Sequence, residues 1–278
     1  MIGDFSARLQ QPRFGIVFLS AVLSLLISLH WAPMAIPSVA VLVLCLLRPD
    51  LGSRPVTWWL MAAAWAIALV VAAEHMEDHV PLFTVWLVAL AVSLRRPEPE
   101  FLPAVALQAR LLIGVTFTAA VCWKLWFGTY LDGVTLWVYM IADDRFRPLA
   151  AAVGLTQEQI AADRTALSAV LNGTADATTL EAGAMTQRAI VIVSVMTLLL
   201  EAVIALSHLA PDSARLARLR LPSLVLFGVV TYGTVPVVPF AVLLALLTMT
   251  IARWRPQVMW VLPAFMIVVA TRVALLSF

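Results

Sequence analysis

Lys124 is the residue of this chain best suited to acid–base chemistry. Of the 18 basic residues, 17 are arginines, and Lys124 is the single lysine. A desolvated amine gives up its proton near neutral pH, whereas a guanidinium stays charged. A neutral lysine can therefore act as a general base. The alternative is that Lys124 only anchors the end of an apolar helix by extending its charged tip into polar surroundings.

Further candidate side chains lie in the same region of the sequence. Arg110 and Lys124 are 14 residues apart, nearly four helical turns, so they share one helix face about 21 Å apart. His79 begins the preceding apolar run and is predicted to lie at the level of Lys124; the alternative is a histidine that only caps its helix. The side chains predicted to contact a substrate there are Glu74, Asp78, Trp123, Trp126, Tyr130 and Asp132.

Glu201 is an acidic residue inside another apolar run. Ionisable groups in such surroundings are costly and are therefore candidates for function. We predict a structural ion pair between Glu201 and Arg110, because the two lie at similar depths; the alternative is a proton-relay or substrate site. The sequence has no zinc-ligand spacing and no phosphate-binding glycine loop, so no metal is expected. His208 is expected at an interface.

The composition of the chain identifies the surroundings of these residues as a membrane. The chain is 63% hydrophobic and only 12% charged, with a mean hydropathy of +0.98. Soluble domains are about half apolar and about a quarter charged. A soluble globular domain, a disordered chain and a nucleic-acid-binding protein are therefore excluded. The apolar runs are continuous, which is typical of helices rather than of the alternating strands of a membrane barrel.

The predicted fold is all-α, a polytopic transmembrane bundle that forms one integral-membrane domain over residues 1–278. The apolar runs that predict its helices are 14–29, 34–47, 57–73, 80–94, 102–127, 189–209, 221–251 and 258–276. Gly233, Pro236 and Pro239 interrupt run 221–251, so we predict two short helices there and about eight or nine membrane segments. Segment 128–187 is predicted to form a small outer helical cap, with a helix over 155–171 that starts at Thr156.

Arginines on alternate loops give the orientation, because positive charge accumulates on cytoplasmic loops. A cytoplasmic N-terminus places the following residues inside: Arg48, Arg54, Arg95, Arg96, Arg215, Arg218 and Arg220. Arg253 and Arg255 also fall inside if run 221–251 crosses twice, and the C-terminus then lies outside. The expected location is the bacterial cytoplasmic membrane.

The segment around Lys124 resembles the core motif of the HTTM family, the membrane module shared with vitamin K-dependent gamma-carboxylase and with a bacterial protein that matures a sporulation-delaying toxin. That motif has an arginine, an aromatic and small residues, a Lys-Leu pair and an acidic-Gly pair. The matching residues are Arg110, Phe117, Ala119, Ala120, Lys124, Leu125, Asp132 and Gly133, with His79 and Glu201 on neighbouring runs. The resemblance implies that Lys124 is a base facing a lipid-soluble substrate and that His79 is an active-site histidine.

Three functions follow as hypotheses. The first is a membrane enzyme in which Lys124 transfers a proton on a quinone- or isoprenoid-like lipid, in an oxidation, epoxidation or cyclisation. The second is maturation of a small secreted peptide or toxin in the same outer cavity. The third is a transporter or structural module without chemistry. Segment 226–230 lacks the histidine and asparagine expected from the family, which disfavours glutamate carboxylation. A quinone is the expected cofactor if one is used, and the oligomeric state is left open.

Overall fold

The protein is helical throughout the part that the structure describes. The structure, a computed structural model, describes residues 2–29, 31–72, 79–176, 183–235, 237–254, 267–268 and 271. No strand occurs among these residues. The predicted all-α class is therefore confirmed for the described part of the chain. Run 258–276, the last predicted helix, falls almost wholly outside it.

The helices follow the apolar runs closely. In chain order they are α1 (Ile2–Leu9), α2 (Pro12–Ser28), α3 (Ala35–Leu47), α4 (Pro49–Gly52), α5 (Pro55–Val71), α6 (His79–Ser93), α7 (Glu98–Phe127), α8 (Val134–Ala142), α9 (Arg147–Ala152), α10 (Gln157–Leu171), α11 (Ala184–Leu209), α12 (Arg220–Thr234) and α13 (Val238–Ile251). A short 3₁₀ segment, Arg215–Leu219, leads directly into α12. Prolines begin α2, α4 and α5, where the missing amide hydrogen is not needed.

Three of the described helices are long and apolar enough to cross a membrane. They are Glu98–Phe127, Ala184–Leu209 and Arg215–Gly233. Five more apolar helices have only 10–17 residues, which is shorter than the roughly 20 residues of a typical span. Helix length and composition thus support a membrane protein with three clear candidate spans, and they do not support the predicted count of eight or nine.

Run 221–251 is broken, as predicted. Helix α12 ends at Thr234, and α13 begins at Val238. Val235 is extended, with φ −131° and ψ 98°, because the ring of a following proline disfavours the helical conformation. Pro239 lies in the first turn of α13, where a proline is tolerated. The prediction of two helices in this run is confirmed.

Buried serines on α2 bind the indole groups of the neighbouring helices. Trp86 donates to Ser20 Oγ at 3.0 Å, and Trp65 donates to Ser24 Oγ at 3.1 Å. Ser24 is also hydrogen-bonded to Ser38 of α3 at 2.9 Å. Both indoles are fully buried, where an unpaired N–H would be costly. These bonds fix how α3, α5 and α6 pack around α2.

We expect Ser24→Ala to destabilise the bundle by about 1–2 kcal/mol, because it leaves the buried N–H of Trp65 without an acceptor. Thermal unfolding in detergent measures this loss. Ser28→Ala is the matched control, since Ser28 is equally buried but bonds only to the carbonyl of Leu25 in its own helix. Equal melting temperatures for the two variants would contradict an interhelical role for Ser24.

Helices α8, α9 and α10 form a cap with its own apolar cluster. Trp137, Met140 and Ile160 are buried in it, and Ile190 of α11 completes the cluster. Thr156 and Gln159 form a capping box at the start of α10, which confirms the predicted helix start. The cap therefore packs on the first turns of α11 and does not belong to the main core.

Gly133, at the start of α8, allows this close approach of the cap to α11. Its φ is +83°, and a Cβ there would lie 2.9 Å from Cγ2 of Ile190. We expect Gly133→Ala to destabilise the protein by about 2–3 kcal/mol, from left-handed backbone strain plus this clash. Gly128→Ala is the control: φ is +70°, but no atom lies within 4 Å of its added Cβ. A melting temperature no lower for Gly133→Ala than for Gly128→Ala would contradict the clash.

Candidate functional site

Helices α7 and α11 form an antiparallel pair that joins the main core to the cap. A Cβ on Gly114 of α7 would lie 2.7 Å from Leu209 of α11, so the two helix backbones approach closely at this level. Small residues permit such approaches between membrane helices. Both helices extend from here toward the cap, and the candidate site lies on that extension.

Lys124 and Glu201 form a buried ion pair across this helix pair. Nζ of Lys124 donates to Oε1 of Glu201. The side chains are only 20% and 8% exposed. Among the described residues, Oε2 of Glu201 has no hydrogen-bond partner. The pair therefore offers one free carboxylate oxygen beside an ammonium group.

One aromatic ring, that of Tyr130, lies against the ammonium group of Lys124. Its Nζ lies 4.6 Å from the ring centre of Tyr130, a cation–π distance. Tyr130 is buried in the turn that follows α7. Trp123 and Trp126 flank Lys124 in sequence and are 67% and 86% exposed. The two indoles thus face the surroundings of the helix and not the protein interior, as an interfacial aromatic belt does.

Arg110 does not pair with Glu201, so that prediction is wrong. Nη1 of Arg110 donates to Oδ1 of Asp212 at 2.7 Å, and Glu201 binds Lys124 instead. The antiparallel register is the reason: Gly114 lies beside Leu209, so the partner of Arg110 must follow the end of α11. Glu201 lies about three turns further along, at the level of Lys124.

Asp212 also binds Arg220, which ties the end of α11 to α12. Arg220 donates through Nη1 to Asp212 and through Nε to the carbonyl of Ser207 at 2.9 Å. The second contact satisfies a carbonyl in the last turn of α11. The hydrogen bond from Arg220, reinforced by the charges of Arg220 and Arg110, holds the pKa of the Asp212 carboxyl below its ordinary value.

His79 lies beside α13, and the prediction that it shares a level and a cavity with Lys124 stays a prediction. The His79 ring is buried and stacks on Phe240 of α13 at 6.4 Å between ring centres. No described contact of Lys124 involves His79.

Asp132 has a backbone partner that the substrate prediction did not include. Its Oδ1 accepts from the amide of Val134 at 3.0 Å and so supports the first turn of α8. The Asp132–Gly133 pair thus builds the junction between α7 and the cap. Glu74 and Asp78, the remaining predicted substrate contacts, lie outside the described residues.

Asp212 and the true partner of Glu201 were missed from the sequence. Asp212 is a single acid in a stretch otherwise rich in arginine, which was a signal for an ion-pair centre. Lys124 is the only lysine of run 102–127, and Glu201 is the only acidic residue of run 189–209. The sequence does not show that the two side chains meet, because this depends on how the two helices are offset along their axes. His208, predicted at an interface, is completely buried.

The Lys124–Glu201 pair thus holds an ammonium group next to a carboxylate oxygen that has no partner among the described residues. Such an arrangement can take up or donate one proton and can hold an anion beside the ammonium group. No family model, curated protein or solved structure matches this chain.

Proposed function

We propose that the protein is an integral-membrane enzyme in which the Lys124–Glu201 pair transfers a proton on a lipid-like substrate. One observation carries the proposal: a buried ion pair on a candidate membrane span keeps one carboxylate oxygen, Oε2 of Glu201, without a partner among the described residues. A pair with a purely structural role is expected to use both oxygens, because an unpaired buried oxygen is costly.

The proposed step moves one proton. The hydroxyl of the substrate donates its proton to Oε2 of Glu201, and the electron pair stays on the substrate oxygen. The ammonium of Lys124 then lies next to the oxyanion and stabilises it. The charge of Lys124 is retained during this step.

A quinol or an isoprenoid alcohol is the substrate class that fits best. Both carry an acidic or ionisable hydroxyl on a long apolar chain. The strongly exposed Trp123 and Trp126 beside Lys124 suit a substrate that approaches from the lipid. Tyr130, which lies over the ammonium group, supplies an aromatic wall for a flat ring. The HTTM resemblance points to the same class.

The proposed topology has a cytoplasmic N-terminus and an outer site. The shorter apolar helices α2, α3, α5, α6 and α13 are proposed to lie in the membrane together with the three long spans, which gives nine segments with the last run. Their outward side chains are apolar; Ile36, Leu60 and Val70 are among the most exposed of all. A lipid-facing surface explains such side chains, whereas water would not.

Mass spectrometry of the lipids that co-purify with the protein tests the proposal. We expect one quinone or isoprenoid species to be enriched over its share of the bulk membrane. The enrichment is expected to fall when Lys124→Met is combined with Glu201→Gln, since this variant removes both charges and keeps the side-chain volumes.

The matched control is the double variant Arg13→Gln with Glu98→Gln. It removes an ion pair of 2.8 Å whose carboxylate partner is 67% exposed and which lies at the other end of α7. This variant is expected to retain the enriched lipid. A lipid profile equal to the bulk membrane for the unmodified protein, or an unchanged profile in the Lys124/Glu201 variant, would contradict the proposed site.

A further inference from the structure

A second polar site lies at the opposite end of α7 and α11. It is a cavity of about 660 Å³ among α7, the end of α11, the start of α12 and the end of α13. The volume is in the range of ordinary ligand sites. The cavity is separate from the Lys124–Glu201 pair, which lies about four turns away along α7.

The cavity carries an excess of positive charge. Its charged lining residues are Arg110, Arg218, Arg220, Arg253 and Asp212. Four guanidinium groups therefore face one carboxylate. Asp212 is engaged by Arg110 and Arg220, and no carboxylate of the described residues contacts the other two arginines.

Buried polar atoms in the lining add a second, independent observation. Nδ1 of His208 faces the carbonyl of Ile204 at 2.8 Å, so Nδ1 carries the hydrogen of the ring. Nε2 of His208 and Nε of Arg110 are both buried and have no hydrogen-bond partner among the described residues. A completely buried histidine with an open ring nitrogen on a cavity wall indicates that a polar group belongs there.

Arg253, which lines the cavity, lies in a strained turn at the end of α13. Arg253 and Trp254 both have left-handed backbone conformations, with φ values of 55° and 56°. The Trp254 indole donates to the carbonyl of Leu9 at 3.2 Å and packs closely against Gly15. These contacts fix the turn that ends α13. Strained residues of this kind occur where a fixed side-chain position is needed.

The remaining wall of the cavity is apolar. Ala106 and Leu107 of α7, Leu221 and Leu224 of α12, and Ile251 of α13 form it. A small inorganic anion would use only the arginines, whereas an amphiphile would use both parts of the lining. Arginines suit phosphate in particular, because their fork of N–H groups matches the phosphate oxygens.

We propose that this cavity binds a phosphate group, best fitted by the headgroup of an anionic lipid whose tail lies along the apolar wall. Arg218 and Arg253 contact the phosphate oxygens, Nε of Arg110 donates deeper in the cavity, and Nε2 of His208 accepts from a hydroxyl of the headgroup. Basic pockets between helices on the cytoplasmic side of a membrane bind lipid headgroups in this way. The proposal does not depend on proton transfer at Lys124.

Native mass spectrometry of the full chain in detergent tests the site with three probes. Dioleoylphosphatidylglycerol supplies phosphate and tail, dioleoylglycerol supplies the tail alone, and inorganic phosphate supplies the anion alone. We expect saturable binding of the phospholipid. Combining Arg218→Gln with Arg253→Gln is expected to weaken that binding about tenfold or more, since two charge-assisted contacts are lost. Both side chains are exposed, so the fold should not change.

Arg215→Gln is the matched control, because Arg215 is also exposed and lies in the same connecting segment but does not line the cavity. It should bind the phospholipid as the unmodified protein does. Displacement of the phospholipid by inorganic phosphate would assign the site to a soluble phosphate compound, and resistance to displacement would assign it to a lipid headgroup. Equal binding of dioleoylglycerol, absence of binding, or equal losses in the Arg215 variant and the double variant would overturn the proposal.

Discussion

Lys124→Arg is expected to lower conversion of the lipid substrate by about 10²-fold or more. Arginine keeps the positive charge beside Glu201, but its guanidinium is a planar fork of N–H groups and not a compact ammonium group. Its two-pronged guanidinium would also bind both oxygens of Glu201, so that the free Oε2 would be lost. The measurement is the conversion of the co-purified lipid, followed by mass spectrometry, in the variant and in the unmodified protein.

The melting temperature of Lys124→Arg supplies the control for this result. Because the ion pair is kept, the variant should unfold within a few degrees of the unmodified protein. Loss of conversion with retained stability assigns a chemical role to the pair. Full conversion in Lys124→Arg would contradict proton transfer and leave Lys124 as an anchor for the ends of α7 and α11.

Breaking the Lys124–Glu201 pair from one side is expected to have the largest effect on stability. Glu201→Gln leaves the ammonium of Lys124 buried without its counter-charge, which typically costs about 3–5 kcal/mol. Adding Lys124→Met removes the uncompensated charge. The double variant should therefore be more stable than the sum of the two single losses predicts, and thermal unfolding in detergent measures all three.

An ion pair with an exposed carboxylate offers the comparison for this cycle. Arg13 and Glu98 form a pair of 2.8 Å with side chains 25% and 67% exposed, and such pairs typically contribute less than about 1 kcal/mol. The corresponding cycle at Arg13 and Glu98 should give a much smaller coupling. Strict additivity at Lys124 and Glu201 would mean that the two charges do not interact in the folded protein.

The longer apolar helices could be predicted from the sequence because each is a continuous apolar run, whereas the short helices α1, α4, α8 and α9 match none of the predicted runs. The runs 34–47 and 102–127 end at the same residues as α3 and α7. The break in run 221–251 was readable for a local reason, since Pro236 and Pro239 act on their own neighbouring residues. The start of α10 at Thr156 could be predicted for the same reason, because the capping box that begins this helix involves only residues of its first turn.

The sequence by itself thus determined the all-α class, the positions of the helices and the importance of Lys124 and Glu201 as rare ionisable residues in apolar runs. Only the tertiary structure decided which charges meet. Periodicity along one helix shows which residues share a face, but the offset between two helices depends on the packing of residues such as Gly114 and Leu209. The predicted pair was Arg110 with Glu201. The observed pairs are Lys124 with Glu201 and Arg110 with Asp212, which corresponds to a shift of about three turns between α7 and α11.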